Sequence, residues 1–510
     1  MGDHSRRDLT HDLLLPTLLF AALGGMTWAV RGSSGFGASA GCIFAGVTLG
    51  TAWWFIARHP SAKQSRPYAS GWIILAMTAA FGIAGNQGWM QWPHFFNEHL
   101  YTDYRNGEFV PISRAYGFIW LFLAGIPWGG MGACFLAWCG SARRTSPLQW
   151  VIRLGSGFGV AYVLGVLIYN RFPDVFLPLH DSLRDQYQNL EAHPNLKKLV
   201  RDNQEAMMHM GLYLGFLGYE IARREWKNVT LVVTVGLLNG IGWSLLQNWM
   251  WANRLWPDAR FNFWRCWETS GGISIGVAYG IAYYLVNRRS SNEQIAAEES
   301  RTPAGPPGLS WLGAYLVSVV LLGSIVPEVM PVWGAVAYTL VAAGFGIGYY
   351  LTAQKEFRVT GPLWSVHGPV FERWGAYAGL ILGLGLSIKN GLRGWANIYH
   401  QGAAEWDAAL WPYMGPLLFI ALTFAALWVL LRPFPRSAED DPIPHAYGLL
   451  WLVLIVQNVI AQLVTGPPTN WSEVAFNIYY VLLFLISAVI VQHYQFVKTL
   501  GSSAAKNPMQ

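Results

Sequence analysis

The sequence predicts an all-α, polytopic integral membrane protein of about 14 transmembrane helices, within a range of roughly 12 to 14. Both termini are expected on the cytoplasmic side, and a parallel internal repeat is suggested. Three observations point there. Hydrophobic residues make up 53% of the 510 positions and charged residues only 12%, about half the charged share of a soluble domain. The charges cluster between long uncharged stretches. Lys and Arg then recur at alternate connections, as they do when short basic loops stay on the cytoplasmic side.

The spans follow in order. Residues 32–57, 67–93, 115–142, 228–253, 269–287 and 302–327 contain no Asp, Glu, Lys or Arg, and 329–351, 408–431, 442–472 and 474–497 repeat the pattern. About 20 mostly apolar residues suffice for a helix to cross roughly 30 Å of hydrocarbon. Four shorter stretches, 13–30, 154–170, 206–219 and 374–388, complete the set. The last two are bounded by Glu220 and by Glu372 with Arg373, so they must borrow polar flanks, tilt or break.

Charge orients the chain. With the N-terminus inside, most of the 34 basic residues fall on cytoplasmic connections, including Arg6 and Arg7, Arg143 and Arg144, Arg223 and Arg224, and Arg288 and Arg289. The long connection 171–205 is then outside. It is expected to be an inert loop, although Leu183, Tyr187, Leu190, Leu196 and Val200 would suit a surface-lying or cavity-capping segment. The first apolar run lacks a small-residue processing site and is expected to be a retained span. These features place the protein in a plasma membrane, most simply a bacterial inner membrane. Residues 290–307, polar and proline-containing, form an expected cytoplasmic linker between a bundle of about eight spans over 1–289 and one of about six over 308–510.

The formal charge of +6 is explained by membrane orientation. No basic face or module for nucleic acid is visible, so the expected partners are the bilayer and a small polar solute. Cys42, Cys134, Cys139 and Cys266 do not form CxxC pairs, and no metal or cofactor is expected. HExxH, GxSxG and GxxxxGK[ST] are absent. The 57–66 connection also lacks the glycine, acid and basic pattern of a major facilitator.

The suggested repeat carries the functional reading. Gly82, Gln87, Trp89 and Met90 match Gly242, Gln247, Trp249 and Met250 at a constant offset of 160 residues, each set closing an inside-to-outside span. Transporters are often built from such copies. Polar residues gather at other outward span ends: Trp28 and Arg31, Lys389 to Trp395, and Gln457, Asn458 and Gln462. Polar groups within hydrocarbon favour the protein interior or a watery cavity. The candidate solute-binding residues are therefore Trp28, Arg31, Asn86, Gln87, Trp89, Gln247, Asn248, Trp249, Glu268 and Asn390, with Trp92, Trp251 and Trp395 nearby. Amides donate and accept hydrogen bonds while indoles cover apolar faces, a mixture suited to a neutral, sugar-like ring. Each Trp or Gln taken alone is equally an interfacial anchor.

Charged positions have plainer readings beside functional ones. Arg31 suits a substrate anion or a snorkelling arginine. Glu268 suits the N-terminus of the eighth span as a cap, and Glu328, between Pro327 and Pro331, is a weak coupling candidate. Glu220 is expected to pair with Arg223, Arg224 or Arg373. The connection 92–103 brings His94, Glu98, His99 and Asp103 close in sequence, and a helix there would put His94 and Glu98 on one face. These four are weak catalytic candidates for the alternative reading, a membrane-embedded glycosyl- or acyltransferase with an outward active site.

Overall fold

The computed structural model describes residues 9–33, 38–57, 68, 71–85, 88–89, 91–140, 147–246, 249–287, 376, 379–380, 383–384, 443–465 and 470–506. Expected spans at 302–327, 329–351 and 408–431, most of 374–388, the linker at 290–307 and Glu328 lie outside them.

The described part is a helical bundle with one small hairpin. A π-helical turn, Thr10–Leu14, leads into α1 (Leu15–Ser33), followed by α2 (Ala38–Ala57) and α3 (Trp72–Ala84). A short α4 (Trp92–Phe95) precedes β1 (His99–Asp103) and β2 (Glu108–Pro111), an antiparallel pair that departs from an all-helical chain. Next come α5 (Ala115–Gly140) and α6 (Pro147–Tyr162), which passes through a π-helical turn, Val163–Ile168, into α7 (Tyr169–Arg171). Short helices α8 (Pro173–Phe176) and α9 (Arg184–Gln188) lead to α10 (Pro194–Ala222). The remainder is α11 (Trp226–Leu245), α12 (Trp249–Leu255), α13 (Phe263–Val286), α14 (Ile443–Thr465) and α15 (Trp471–Lys506).

Among the described residues, four helical segments are long and apolar enough to cross a membrane: Ala115–Trp138, Leu148–Arg171, Trp226–Ala252 and Trp471–Val497. Two of them present apolar side chains outward. Ile478, Val481, Leu482, Leu485 and Val489 form one exposed face of α15, while Tyr480, Leu483, Ser487 and Val491 on its other face are buried. Leu148, Val151, Ile152, Phe158 and Tyr162 are likewise exposed on α6. Water would penalise such faces at roughly 25 cal/mol per Å², whereas lipid tails do not. The protein is a membrane-associated, helix-rich protein whose apolar helices meet the bilayer.

Neighbouring helices run antiparallel and approach closely through small residues, as membrane helices do. On α13, Gly272, Gly276 and Gly280 lie against Gly24, Phe20 and Thr17 of α1, so closely that a Cβ at these glycines would overlap the facing backbone. Gly46 and Gly50 of α2 meet Met77 and Ile74 of α3. Between α5 and α11, the Asn239 amide donates to the Gly125 carbonyl (2.6 Å) and Ser244 to that of Phe118 (3.0 Å).

The weak 206–219 segment gains its length from its N-terminal flank, because α10 starts at Pro194. The last third of the expected 171–205 loop is therefore helix. The Gln204 amide of α10 donates to the Gly165 carbonyl in the π-helical turn beside it (3.0 Å).

Candidate functional site

Helix α3 has 13 residues, about 20 Å of rise, less than a bilayer core. Beyond it, Gly88 and Trp89 lie outside any helix. Irregular backbone at such a depth is tolerated where it is buried in protein or lines a cavity. Here it is buried. Gly88 packs on the Asp202 carboxylate of α10, its N–H donates to the Glu205 carboxylate, and a Cβ at Gly88 would collide with Asp202.

Trp89 then enters an aromatic cage. Its ring centroid lies 4.2 Å from that of Trp243, 4.8 Å from Trp128, 6.0 Å from Trp92 and 6.3 Å from Trp267. Trp28 joins through Trp128 (4.9 Å), and Trp243 contacts Trp267 (5.3 Å). Five elements, α1, α3 with its extension, α5, α11 and α13, thus converge at one end of the bundle. Trp92 is anchored separately: its indole donates to Asn203 (2.8 Å), the Asn203 amide donates to the Phe176 carbonyl (2.8 Å), and the ring stacks on Trp120.

The cage has one chemical anomaly. The indole N–H groups of Trp28, Trp89, Trp243 and Trp267 are buried and have no acceptor among the described residues, as is also true of the scattered Trp138, Trp150 and Trp451. An unsatisfied buried donor costs about 1 to 3 kcal/mol, and an indole can donate but not accept. Four such donors in one cluster fit an occupant that supplies oxygen acceptors.

The hairpin covers the neighbouring connection. His94 is buried among Tyr101, Tyr104 and Trp264. Burial first, and then repulsion from His99, lowers its pKa to about 4. The His99 pKa is also lowered, by burial and then by Arg254, with Glu98 opposing. The segment is not one helix, which corrects the expected shared face: α4 ends at Phe95, Glu98 has φ of +64°, and His99 begins β1. Glu98 pairs with Arg114 and Arg254, each at 3.3 Å. Asp103 is held below the ordinary carboxylate range chiefly by the Asn106 backbone N–H.

Other sequence candidates fall differently. Trp249 is 38% exposed and donates to Ser270 (2.6 Å), whereas its suggested counterpart Trp89 is in the cage. Trp251 donates to the Phe96 carbonyl. Glu268 is buried but does not cap its helix; α13 begins at Phe263, and Asn262 caps it by accepting the Arg265 backbone N–H (3.0 Å). Arg31 lies in the last turn of α1, not after the span. The side chains of Arg31, Asn86, Gln87, Gln247, Asn248 and Asn390, and the residue Trp395, lie outside the described set. Trp128, Trp243 and Trp267 were not among the sequence candidates. Trp243 sits inside the suggested repeat, but opposite Ile83 it carries no identity.

A polar core marks the opposite end of the bundle. Arg153 of α6 pairs with Glu220 of α10 at 2.8 Å, with side chains 2% and 1% exposed. Asn228 donates to Glu220 (2.7 Å) and accepts from the Tyr68 hydroxyl (2.6 Å). The guanidinium lies over Trp138, Trp150 and Tyr219. Glu220 therefore has a partner that the sequence reading did not pair it with. Farther along the long connection, Asp174, His180 and Asp181 bring potential metal-ligating atoms within 4.8 Å of one another, with both aspartates exposed and Asp181 also paired to Arg184.

No family model, curated protein or solved structure matches this chain.

Proposed function

We propose that the protein is a multi-pass permease that moves a small, neutral, sugar-like polar solute, and that the tryptophan cage lines its outward-facing chamber. The observation that carries this reading is the set of four buried indole donors that have no acceptor among the described residues, gathered from helices α1, α11 and α13 and the extension of α3. Hydroxyl and ring oxygens of a polyol would satisfy them, and indole faces suit the apolar faces of such a ring. Asn86, Gln87, Gln247 and Asn248, close to Trp89 and Trp243 in sequence, would add exchangeable hydrogen bonds.

In this reading about 14 spans cross a plasma membrane, with both termini and the Arg153 end cytoplasmic and the cage end outside. Residues 1–289 and 308–510 form two bundles joined by the 290–307 linker. The 160-residue offset between the Gln87–Trp89 and Gln247–Trp249 segments is a trace of duplication. A transferase ranks second, because Glu98 is engaged by two arginines and Asp103 by its own turn.

Reconstitution in sealed vesicles tests the proposal. A panel of labelled hexoses and polyols should show saturable counterflow, diminished by Trp89→Phe or Trp243→Phe. A covalently altered lipid or glycan appearing at turnover without solute flux would overturn it in favour of the transferase.

A further inference from the structure

We infer that Arg265 anchors an oxyanion-binding site, for a carboxylate or a phosphate, between α13 and α15. Arg265 is 7% exposed, and its Nε and Nη1 atoms are buried without hydrogen-bond partners among the described residues. Among the described residues no carboxylate pairs with it. Its guanidinium lies over the Phe476 ring at 5.0 Å. The contrast is Arg153, also buried but paired with Glu220.

An arginine does not escape burial by losing its proton, and an uncompensated buried charge is among the most costly features a protein interior can hold. A ring face supplies only a small part of the missing compensation. The planar guanidinium matches carboxylate and phosphate oxygens better than it matches other anions.

Donors are close at hand on the facing helix. Ser472 and Phe476 are one turn apart on α15 and so share a face. The buried Ser472 hydroxyl accepts the Asn262 N–H (3.0 Å) and retains its own proton to donate. Tyr479, one further turn along, has a buried hydroxyl with no partner among the described residues, against Gly25 of α1. The site is separate from the cage: Arg265 faces Phe476 on α15, whereas Trp267 faces Trp243 on α11. It stands whether or not the cage binds a solute.

The oxyanion could be a free anion or a lipid headgroup, and two measurements on the purified full chain separate these sources. Wild type, Arg265→Gln and Arg265→Lys are exchanged into chloride buffer and titrated with inorganic phosphate and, separately, with acetate while thermal unfolding is followed. Organic phosphorus retained per protein after repeated detergent exchange is measured on the same samples. A free-anion site gives a saturable rise in Tm for wild type, with apparent affinity about tenfold weaker in the Gln variant and intermediate for Lys. A lipid site gives about one phosphorus fewer per chain in the Gln variant than in wild type. Should the Gln variant fail to fold, the wild-type and Lys proteins are compared on the same readouts. No saturable anion response and no phosphorus difference between wild type and the folded variants overturns the inference.

Discussion

Trp89 and Trp243 meet edge to face with ring centroids 4.2 Å apart, yet neither indole N–H has an acceptor among the described residues. Ring packing explains the contact and leaves the donors unexplained. That difference separates a binding role from a packing role.

Trp89→Phe and Trp243→Phe keep an aromatic ring and remove one donor each. Loss of one hydrogen bond to a solute costs about 0.5 to 1.5 kcal/mol, so affinity should fall roughly 2- to 15-fold, while the Tm without solute changes little. Trp226→Phe, at an exposed position, serves as control. Solute titration of all three variants checks this. Affinities equal to wild type would reduce the cage to packing.

Much of the scaffold was legible because hydrocarbon imposes a simple rule on composition. The uncharged stretch 115–142 corresponds closely to α5 (Ala115–Gly140), and 154–170 lies within the helical run that begins at Pro147. The extent of α10 was hidden, since its first turns carry Lys197, Lys198, Arg201, Asp202 and Glu205. The cage was half legible. Trp28 and Trp89 lie at polar span ends, but Trp128 and Trp243 sit in apolar surroundings that resemble ordinary core, and Trp267 is overshadowed by its charged neighbour Glu268. Arg265 lies two residues before Trp267, and no pattern along the chain distinguishes a paired arginine from an unpaired one.

Lipid contact is testable at the exposed faces. A nitroxide attached at Val489 or Phe158, both exposed, should be relaxed by oxygen far more than by a water-soluble nickel complex in reconstituted membranes, because oxygen partitions into hydrocarbon. A label at Asn189 should show the opposite preference. Strong nickel accessibility at Val489 would contradict a lipid-facing α15.

Sidedness follows from the basic loops. In intact cells, a cysteine engineered at Asn189 should react with an impermeant maleimide, whereas one at Ser291 should react only after permeabilisation. Labelling of Ser291→Cys with silence at Asn189→Cys would invert the proposed orientation.

His94 predicts acid sensitivity in the connection outside the spans. Its folded pKa is lowered to about 4 from the ordinary 6.5, so between these values the unfolded chain binds more protons than the folded one. Stability from this group is present above pH 6.5 and is lost as pH falls toward 4, up to about 3 kcal/mol. Tm profiles of wild type and His94→Phe, each relative to its value at pH 7.5, should diverge through this window, with the variant falling less. Parallel profiles would show that His94 is not held neutral by burial.

The Arg153–Glu220 pair gives the most severe test of the core at the other end. Both groups are buried, so removing one leaves the other uncompensated, a change that typically costs about 3 to 5 kcal/mol. Glu220→Met should also orphan the Asn228 amide, which donates to that carboxylate. Arg153→Met should leave Glu220 facing the aromatic rings of Trp138 and Trp150 without its cation. Each single variant should therefore unfold well below wild type. The double variant Arg153→Met with Glu220→Met removes both charges and nearly preserves volume, so its Tm should recover most of the loss. Such recovery is the strong non-additivity expected of residues in direct contact. Thermal unfolding of the four proteins in one detergent measures it, and simple addition of the two single losses in the double variant would show that the pair is not energetically coupled.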